Sequence, residues 1–400
     1  MSKYIFLSST CSVKMYEYVS ANKFVDKVNP SQKFFKLLME GLAKNIDEEV
    51  HCVSNRTINP HNSNLNHVKF QVETENGVKY YYVKIRNKKI ISYWDMISNS
   101  YHQLKELIKQ TPKGEKIIVF TDGLAICPTV SALLFCKLHK IKNCAILTDM
   151  PSMVTAIAKK KNVSKFRLLK DRLLNRLIQS FNGYCFLTET MNEFNDKNKP
   201  YTVIEAIATD NADTAMIPKK KKPFVIMYAG GLYKKFGVKA LIDAVDSLQD
   251  QNVVLQVYGE GELKDYIIEK GKKNPNIQYQ GIVSPEQIFE YEKKASLLIN
   301  CRFTKEIFTK YSFPSKTIEY MSSGTPVLTT RLAGIPEEYR PYLYFIDEET
   351  VNGIADSIQK LTRMDCEQLA EFGLKAKNFV LKNKNKTAQG KKLKDFVEGL

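Results

Sequence analysis

None of the eight cysteines (Cys11, Cys52, Cys127, Cys136, Cys144, Cys185, Cys301, Cys366) stands in a Cys-x-x-Cys pair, and their gaps follow no framework. Dispersed thiols of this kind fit small buried hydrophobes in a reducing cytoplasm, not disulfide staples. The five histidines all lie in the first 140 residues, without a His-x-x-x-His pair or a carboxylate cluster beside them, so no metal site is expected. The apolar run at Met1–Ser9 is too short for a signal peptide. The most apolar long stretch, Ile117–Cys136, is broken by Asp122, Gly123 and Pro128, which excludes a membrane span. Acidic residues are in short supply: 43 against 60 lysines and arginines leave a net charge of +17, favouring anionic partners without choosing among them. A content of 44% hydrophobic and 26% charged residues excludes wholesale disorder, and 400 residues point to two or three domains.

Short β-branched runs alternate with longer amphipathic ones. Ile117-Ile-Val-Phe predicts a strand, Thr129–His139 a helix and Asn143-Cys-Ala-Ile-Leu-Thr the next strand. Such alternation implies parallel sheets covered by helices. Residues 71–89 predict instead a β-hairpin turning at Asn76-Gly77. The polar, proline-flanked segment 209–222 reads as a linker, after which strands restart at Phe224-Val-Ile-Met-Tyr-Ala, Val253-Val-Leu-Gln-Val-Tyr, Ala295-Ser-Leu-Leu-Ile-Asn and Pro326-Val-Leu-Thr-Thr. The fold class is α/β, with two doubly wound domains, and two such sheets facing each other would form an interdomain cleft.

Gly230 and Gly231 follow a strand and precede a helical pattern, the layout of a loop that approaches an anion, or simply of a tight turn. Pro314-Ser315 predicts a helix start with a proline and a hydroxyl cap. Lys316 then sits in the first turn, against the dipole, which makes sense beside a phosphate; Glu319, one turn on, can accept hydrogen bonds from a ribose. The plain reading is a solvated Lys–Glu pair on an ordinary helix.

The segments Tyr228-Ala-Gly-Gly-Leu, Tyr258-Gly-Glu-Gly, Gln280-Gly-Ile-Val, Phe313-Pro-Ser-Lys-Thr-Ile-Glu-Tyr-Met-Ser-Ser-Gly-Thr-Pro-Val and Gly334-Ile-Pro-Glu-Glu-Tyr occur in the order and spacing of GT-B glycosyltransferases. The chain resembles glycosyltransferase family 4, with its capsular and exopolysaccharide members, well over Phe224–Leu400 and more faintly before it. The resemblance implies an acceptor domain at 1–208, a nucleotide-sugar domain at 223–384, and a last helix at 385–400 packing back on the first domain. It implies retaining transfer from a nucleotide diphosphate sugar, UDP above others, to a glycan or lipid-linked acceptor, with no cofactor and no obligatory metal. Glu319 matches the ribose carboxylate, and Gly230 and Gly231 the diphosphate loop. Gly281, Ile282 and Val283 would meet the base, while Arg302 and Lys316 would neutralise the diphosphate. Tyr311, Phe313, Ser315 and Thr317 belong to the same donor block. Tyr311 stands where the family often has Glu, and Gly231 and Phe236 where it often has Arg and Lys.

In the first half, Asp149 follows a strand and would either position an acceptor hydroxyl or cap the next helix; Asp122 carries the same ambiguity. Residues 159–180 predict a basic amphipathic helix, with Phe166, Leu169, Leu173, Leu177 and Phe181 on one stripe. It fits peripheral contact with an anionic membrane, or packing on the sheet. No aromatic-interleaved basic patch or zinc module supports nucleic-acid binding. A nucleotide-sugar epimerase and a partner-dependent GT-B subunit remain the competing readings.

Overall fold

A computed structural model describes residues 2–22, 30–56, 58, 63–150, 165–209, 223–248, 250 and 252–400. Contacts divide the chain into two units, residues 1–207 with 386–400, and residues 208–385. Of the linker expected at 209–222, residues 210–222 lie outside the described residues.

The first unit holds β1 (Ser2–Ser8), β2 (Val50–Ser54), β3 (His67–Val68), β4 (Gln71–Glu75), β5 (Val78–Tyr82), β6 (Ile85–Arg86), β7 (Lys116–Asp122), β8 (Lys142–Leu147), β9 (Gly183–Phe186) and β10 (Tyr201–Val203). Eight of these make one sheet in the order β10-β9-β8-β7-β1-β2-β5-β4, parallel except for β4; β3 and β6 pair separately. The central strands are continuous apolar runs because helices cover a parallel sheet on both faces: Ile5, Phe6, Leu7, Val119, Phe120 and Ile146 are fully buried. The expected hairpin is β4–β5. Its two-residue turn, Asn76 at φ 49° and Gly77 at φ 77°, has the left-handed backbone a type I′ connection needs.

The helix Lys386–Glu398 packs on the helix Pro30–Ala43 of this same unit. They meet backbone to backbone: a Cβ on Gly390 would lie 2.1 Å from the carbonyl carbon of Gly41. Lys386 Nζ donates to Glu40 at 2.8 Å, and the Asn45 amide donates to the Thr387 carbonyl at 2.9 Å, fixing the seam.

The second unit holds β11 (Phe224–Ala229), β12 (Val253–Tyr258), β13 (Ile277–Gly281), β14 (Leu297–Asn300), β15 (Val327–Thr329) and β16 (Tyr344–Phe345) in one all-parallel sheet ordered β13-β12-β11-β14-β15-β16. Its core joins Ile226, Leu255, Val257 and Ile299 to Leu241, Ile242 and Val245 of the helix Val238–Ser247. Chain order reverses between β11 and β14, and ligands of open α/β sheets bind outside the carboxyl ends at such a point. The first unit has the same reversal between β1 and β7.

The cysteines match the expectation of buried thiols. No disulfide joins them, and all but Cys366 are buried.

Candidate functional site

In the second unit the helix Ser315–Ser323 is pinned across the reversal point. The Tyr320 hydroxyl accepts from the Ala229 N–H at 2.9 Å and donates to the Ala229 carbonyl at 3.1 Å, which ties the helix to the end of β11. The Asn300 amide donates to the Thr317 hydroxyl at 3.1 Å, tying it to β14. Tyr320 and Thr317 are one turn apart on the buried face, so Lys316 and Glu319 fall on the open one.

The helix start differs from the expectation. Pro314 occupies the cap position, Ser315 is the first helical residue, and no side chain caps the helix. Ser315 is exposed. The first-turn N–H groups are therefore left to the local turn and to ligands. Gly324, in the left-handed region at φ 83°, ends the helix as expected.

Lys316 Nζ donates to Glu319 at 2.7 Å and stands 3.7 Å from a Glu292 carboxylate oxygen. Glu292, on the helix Pro285–Lys294, is fully buried, with 0% of its surface exposed. The lysine thus links an open carboxylate to a buried one. Its position in the first turn has a cause within the protein, since it neutralises Glu292.

Arg302, just beyond β14, is held differently. Its guanidinium lies over the ring of Phe236 at 4.8 Å and near that of Phe308 at 5.9 Å, and no carboxylate pairs with it among the described residues. Burial lowers its pKa below the usual guanidinium range, with Tyr228, Tyr320 and Cys301 opposing. The Thr330 hydroxyl donates to the Arg302 carbonyl and anchors the loop. Lys235 approaches the same rings, 5.0 Å from Phe236 and 5.8 Å from Phe308, also without a carboxylate. Two cations therefore flank one aromatic cluster at the mouth of the sheet.

Gly230 and Gly231 take part in a tightly bonded loop. The Gly230 N–H donates to the Tyr258 carbonyl at 3.0 Å, and the Gly231 carbonyl accepts from the Tyr228 hydroxyl at 3.0 Å. Gly259 has φ 130°, and a Cβ there would lie 1.9 Å from the Gly230 carbonyl oxygen. The loops after β11 and β12 are laced together, and Gly259 is what lets them meet. Gly281 ends β13 and its carbonyl accepts from the Gly259 N–H at 2.8 Å; Ile282 is 70% exposed and Val283 is partly buried. Tyr311 is partly buried, with Lys310 5.3 Å from its ring centre. Phe313 is buried against Tyr339, 5.4 Å between rings, so it supports the block from within.

The remaining candidates lie in the first unit. Asp149 is two residues past the end of β8, half-buried, and accepts from the Met150 N–H at 2.8 Å; burial raises its pKa. Residues 151–164, whose helix it would cap, lie outside the described residues. Asp122 ends β7 and accepts from the Leu124 N–H at 3.2 Å, the turn-closing role. Burial pushes its pKa up to about 6, against the backbone hydrogen bonds that favour its charge. The folded state therefore holds a proton that the unfolded chain releases near pH 4, and stability falls as pH rises through 6. Asp122→Asn is expected to remove this slope. Urea unfolding at pH 4.5 and pH 7.5 should show the parent losing about 2 kcal/mol relative to the variant; parallel pH profiles would contradict it.

Sequence reasoning did not single out Glu292, Tyr320 or Lys235. Glu292 falls one turn after the buried Ile288, a carboxylate on an apolar stripe, which is the one signal that marks it. Among the described residues no group of three His, Cys, Asp or Glu side chains is placed to hold a metal ion.

The family model described as Glycosyl transferases group 1 matches residues 210–379. No curated protein sequence matches the chain. Among solved structures it is similar to the sucrose-phosphate synthase of Thermosynechococcus elongatus, with TM-score 0.66 and 14% identity, covering 99% of this chain and 98% of that one. It is similar to an E. coli trehalose-6-phosphate protein bound with UDP-2-fluoro glucose, with TM-score 0.66 and 8% identity, covering 100% and 99%. A lipopolysaccharide outer core galactosyltransferase follows at TM-score 0.61 and 12% identity, covering 99% of each chain. The architecture of this chain is the GT-B fold of glycosyltransferases.

Proposed function

We propose that this chain moves a sugar from a nucleotide diphosphate sugar, a UDP-sugar above others, to a glycan or lipid-linked acceptor, a reading that its GT-B fold and group 1 segment support. The reading places it on the cytoplasmic side of surface polysaccharide synthesis, in the manner of family 4, with retention of configuration. The observation that carries it is a pair of cations, Arg302 and Lys235, that have no carboxylate partner among the described residues and lie on the loops after β14 and β11, in the unit that also holds the Lys316–Glu319 pair. Cations held there without carboxylates are suited to the charge that develops on a departing nucleoside diphosphate. Glu319 is the ribose acceptor, and its pairing with Lys316 orients it before the ligand arrives. Gly281, Ile282 and Val283 are assigned to the base of the donor, and Asp149 to an acceptor hydroxyl.

Incubation with a panel of nucleotide sugars and candidate acceptors tests the reading through nucleotide release and product analysis. Acceptor-dependent release with glycosyl transfer supports it. Interconversion of free UDP-sugars would replace it with an epimerase, and activity only with an added protein would make the chain a dependent subunit. Activity is expected to survive EDTA; loss restored by Mn²⁺ or Mg²⁺ would overturn the metal-independent mechanism. Arg302→Met should weaken UDP binding by about 1.5–3 kcal/mol, the worth of hydrogen bonds to a charged group. An unchanged calorimetric affinity would remove Arg302 from the site.

Membrane contact belongs to the same proposal, on a revised surface. The helix Lys165–Ile178 buries Leu174 and Ile178, and Phe181 beyond it is buried too, whereas Leu169 is 64% and Leu173 is 49% exposed. Of the basic helix expected at 159–180, residues 159–164 and the side chain of Phe166 lie outside the described residues, and the rest of the expected stripe is divided, with Leu169 and Leu173 exposed and Phe181 buried. On the adjacent helix Ile126–His139, Leu134 and Leu138 are also exposed. A cavity of about 550 Å³ between the two is lined by Val130, Leu133, Leu177, Lys137, Lys140 and Lys142, among others. Exposed leucines among lysines suit the boundary of an anionic bilayer. None of the described helices is long and apolar enough to cross a membrane. Leu138→Ser with Leu169→Ser should reduce sedimentation with anionic vesicles and transfer to a lipid-linked acceptor, while transfer to a short soluble acceptor persists. Parent-like vesicle binding would remove the membrane from the reading.

A further inference from the structure

The start of the helix Ile91–Lys109 reverses the usual polarity of a surface helix. It buries Ser92, Asp95 and Ser100, while Ile90, Tyr93 and Trp94 are 82%, 48% and 69% exposed. The three exposed residues recur at i, i+3 and i+4, so they share one face. Ile90 holds the cap position and makes no side-chain hydrogen bond there, where a hydroxyl or a short amide would serve the first-turn N–H groups better. Neither burial nor capping accounts for an isoleucine at this place.

The corner that carries these side chains is firmly held. Asp95 accepts from the Arg86 N–H and Nε, both at 2.9 Å, and from Nη2 at 2.7 Å, which clamps the helix to β6. The Asn99 amide donates to the Lys84 carbonyl at 2.6 Å, and the Asn87 amide to the Leu65 carbonyl at 2.6 Å. Asp95 is the only acidic residue from 76 to 105, and Arg86 engages it. Lys84, Lys88 and Lys89 are exposed, and no carboxylate pairs with them among the described residues.

The helix starts beyond the carboxyl ends of the strands. Ser100 donates to Asn55 Oδ1, just past β2, at 2.6 Å, and Cys127 Sγ, just past β7, lies 4.0 Å from the Tyr93 carbonyl. That is the end of an open α/β sheet at which ligands arrive. A lone exposed apolar side chain needs no account, but three on one face beside unopposed lysines do. Tryptophan and tyrosine settle where lipid headgroups meet acyl chains, since one end of each ring system is apolar and the other polar. Lysines without carboxylates meet the phosphates of anionic lipid there. We infer that Ile90, Tyr93 and Trp94 form a wedge that enters the headgroup boundary of an anionic bilayer, with Lys84, Lys88 and Lys89 on the lipid phosphates. The inference rests on the membrane half of the proposed function and not on sugar transfer. It adds a contact to the leucines of the helix Ile126–His139, whose Ser131 hydroxyl donates to the Ile97 carbonyl at 3.1 Å and so joins the two helices.

Tryptophan fluorescence of the full chain tests the wedge, because Trp94 is the only tryptophan and all the emission is its own. Vesicles of phosphatidylglycerol and phosphatidylcholine in equal parts, at low salt, should move the emission to shorter wavelength, and bromine on the acyl chains should quench it. Ile90→Ser with Tyr93→Ser keeps the reporter and should weaken vesicle sedimentation about tenfold without loss of stability. Lys88→Gln with Lys89→Gln should weaken it by a similar factor at low salt, and the difference from the parent should shrink as salt screens the attraction. An emission that stays put while the parent sediments with the vesicles would overturn the wedge and leave the leucines as the membrane contact. A parent that does not sediment with them would overturn both. An equal shift with vesicles of phosphatidylcholine alone would remove the lysines from the site. Insertion of Trp94 in a protein that transfers no sugar would leave the wedge standing and the transferase reading fallen.

Discussion

Lys316→Met is expected to destabilise the second unit by about 2–4 kcal/mol, and Glu292→Gln in the same chain to restore most of the loss. The methionine keeps the volume of the lysine stem but leaves the fully buried Glu292 carboxylate without the cation 3.7 Å away. Removing one partner of a buried pair costs more than removing both, because the survivor is a charge in a poor solvent. The figure is below the usual 3–5 kcal/mol because the lysine is 31% exposed and water supplies part of the screening. Chemical denaturation of the parent, both single variants and the double variant closes the cycle. Additive losses would mean that the two groups do not interact. The result also governs how activity is read: a dead Lys316 variant says nothing about diphosphate until the Glu292→Gln background has been measured.

Gly259→Ala should be among the most damaging single-methyl changes in the second unit, at about 3–5 kcal/mol. The backbone there has φ 130°, which an L residue adopts only under strain, and the new Cβ would sit 1.9 Å from the Gly230 carbonyl oxygen. The obstacle is backbone, and it cannot rotate away. Relief would part the loops after β11 and β12, breaking the hydrogen bonds Gly230 N–H to Tyr258 and Leu232 N–H to Glu260, both 3.0 Å. Gly281→Ala is the control. Its φ of 77° imposes about 1–2 kcal/mol of strain, but nothing lies within 4 Å of the added methyl. Hydrogen exchange of β11 and β12 amides should rise steeply in the first variant and little in the second. Equal protection in both would show that the lacing of these loops does not hold them.

The strands of both sheets are legible in the sequence because a strand buried on both faces must be a short continuous apolar run, and Phe224–Ala229 and Val253–Tyr258 look like nothing else. The Asn76-Gly77 turn is equally plain, since few residue pairs accept two positive φ angles. The helix at 165–178 shows where such reading runs out. Leu168, Leu169, Leu173, Leu174 and Leu177 surround it, so the period survives but the phase does not, and only the sheet beneath selects Leu174 and Ile178. The Lys316–Glu319 pair follows from spacing alone, yet Glu292 reaches it from another helix, and no spacing within one segment reports that. Lys235 is an ordinary loop lysine until Tyr233, Phe236 and Phe308 gather around it.

The helix Lys386–Glu398 is made after residues 208–385, yet it completes the unit begun before them. On the ribosome, residues 208–385 are finished as one contiguous piece while the seam at Gly41 still waits for Gly390. The order of maturation is therefore inverted: the later half of the chain can close before the earlier half. Until translation passes residue 386, Glu40 lacks its lysine and the helix Pro30–Ala43 keeps an open flank. A pause in that interval leaves this flank open to a chaperone or a neighbouring nascent chain.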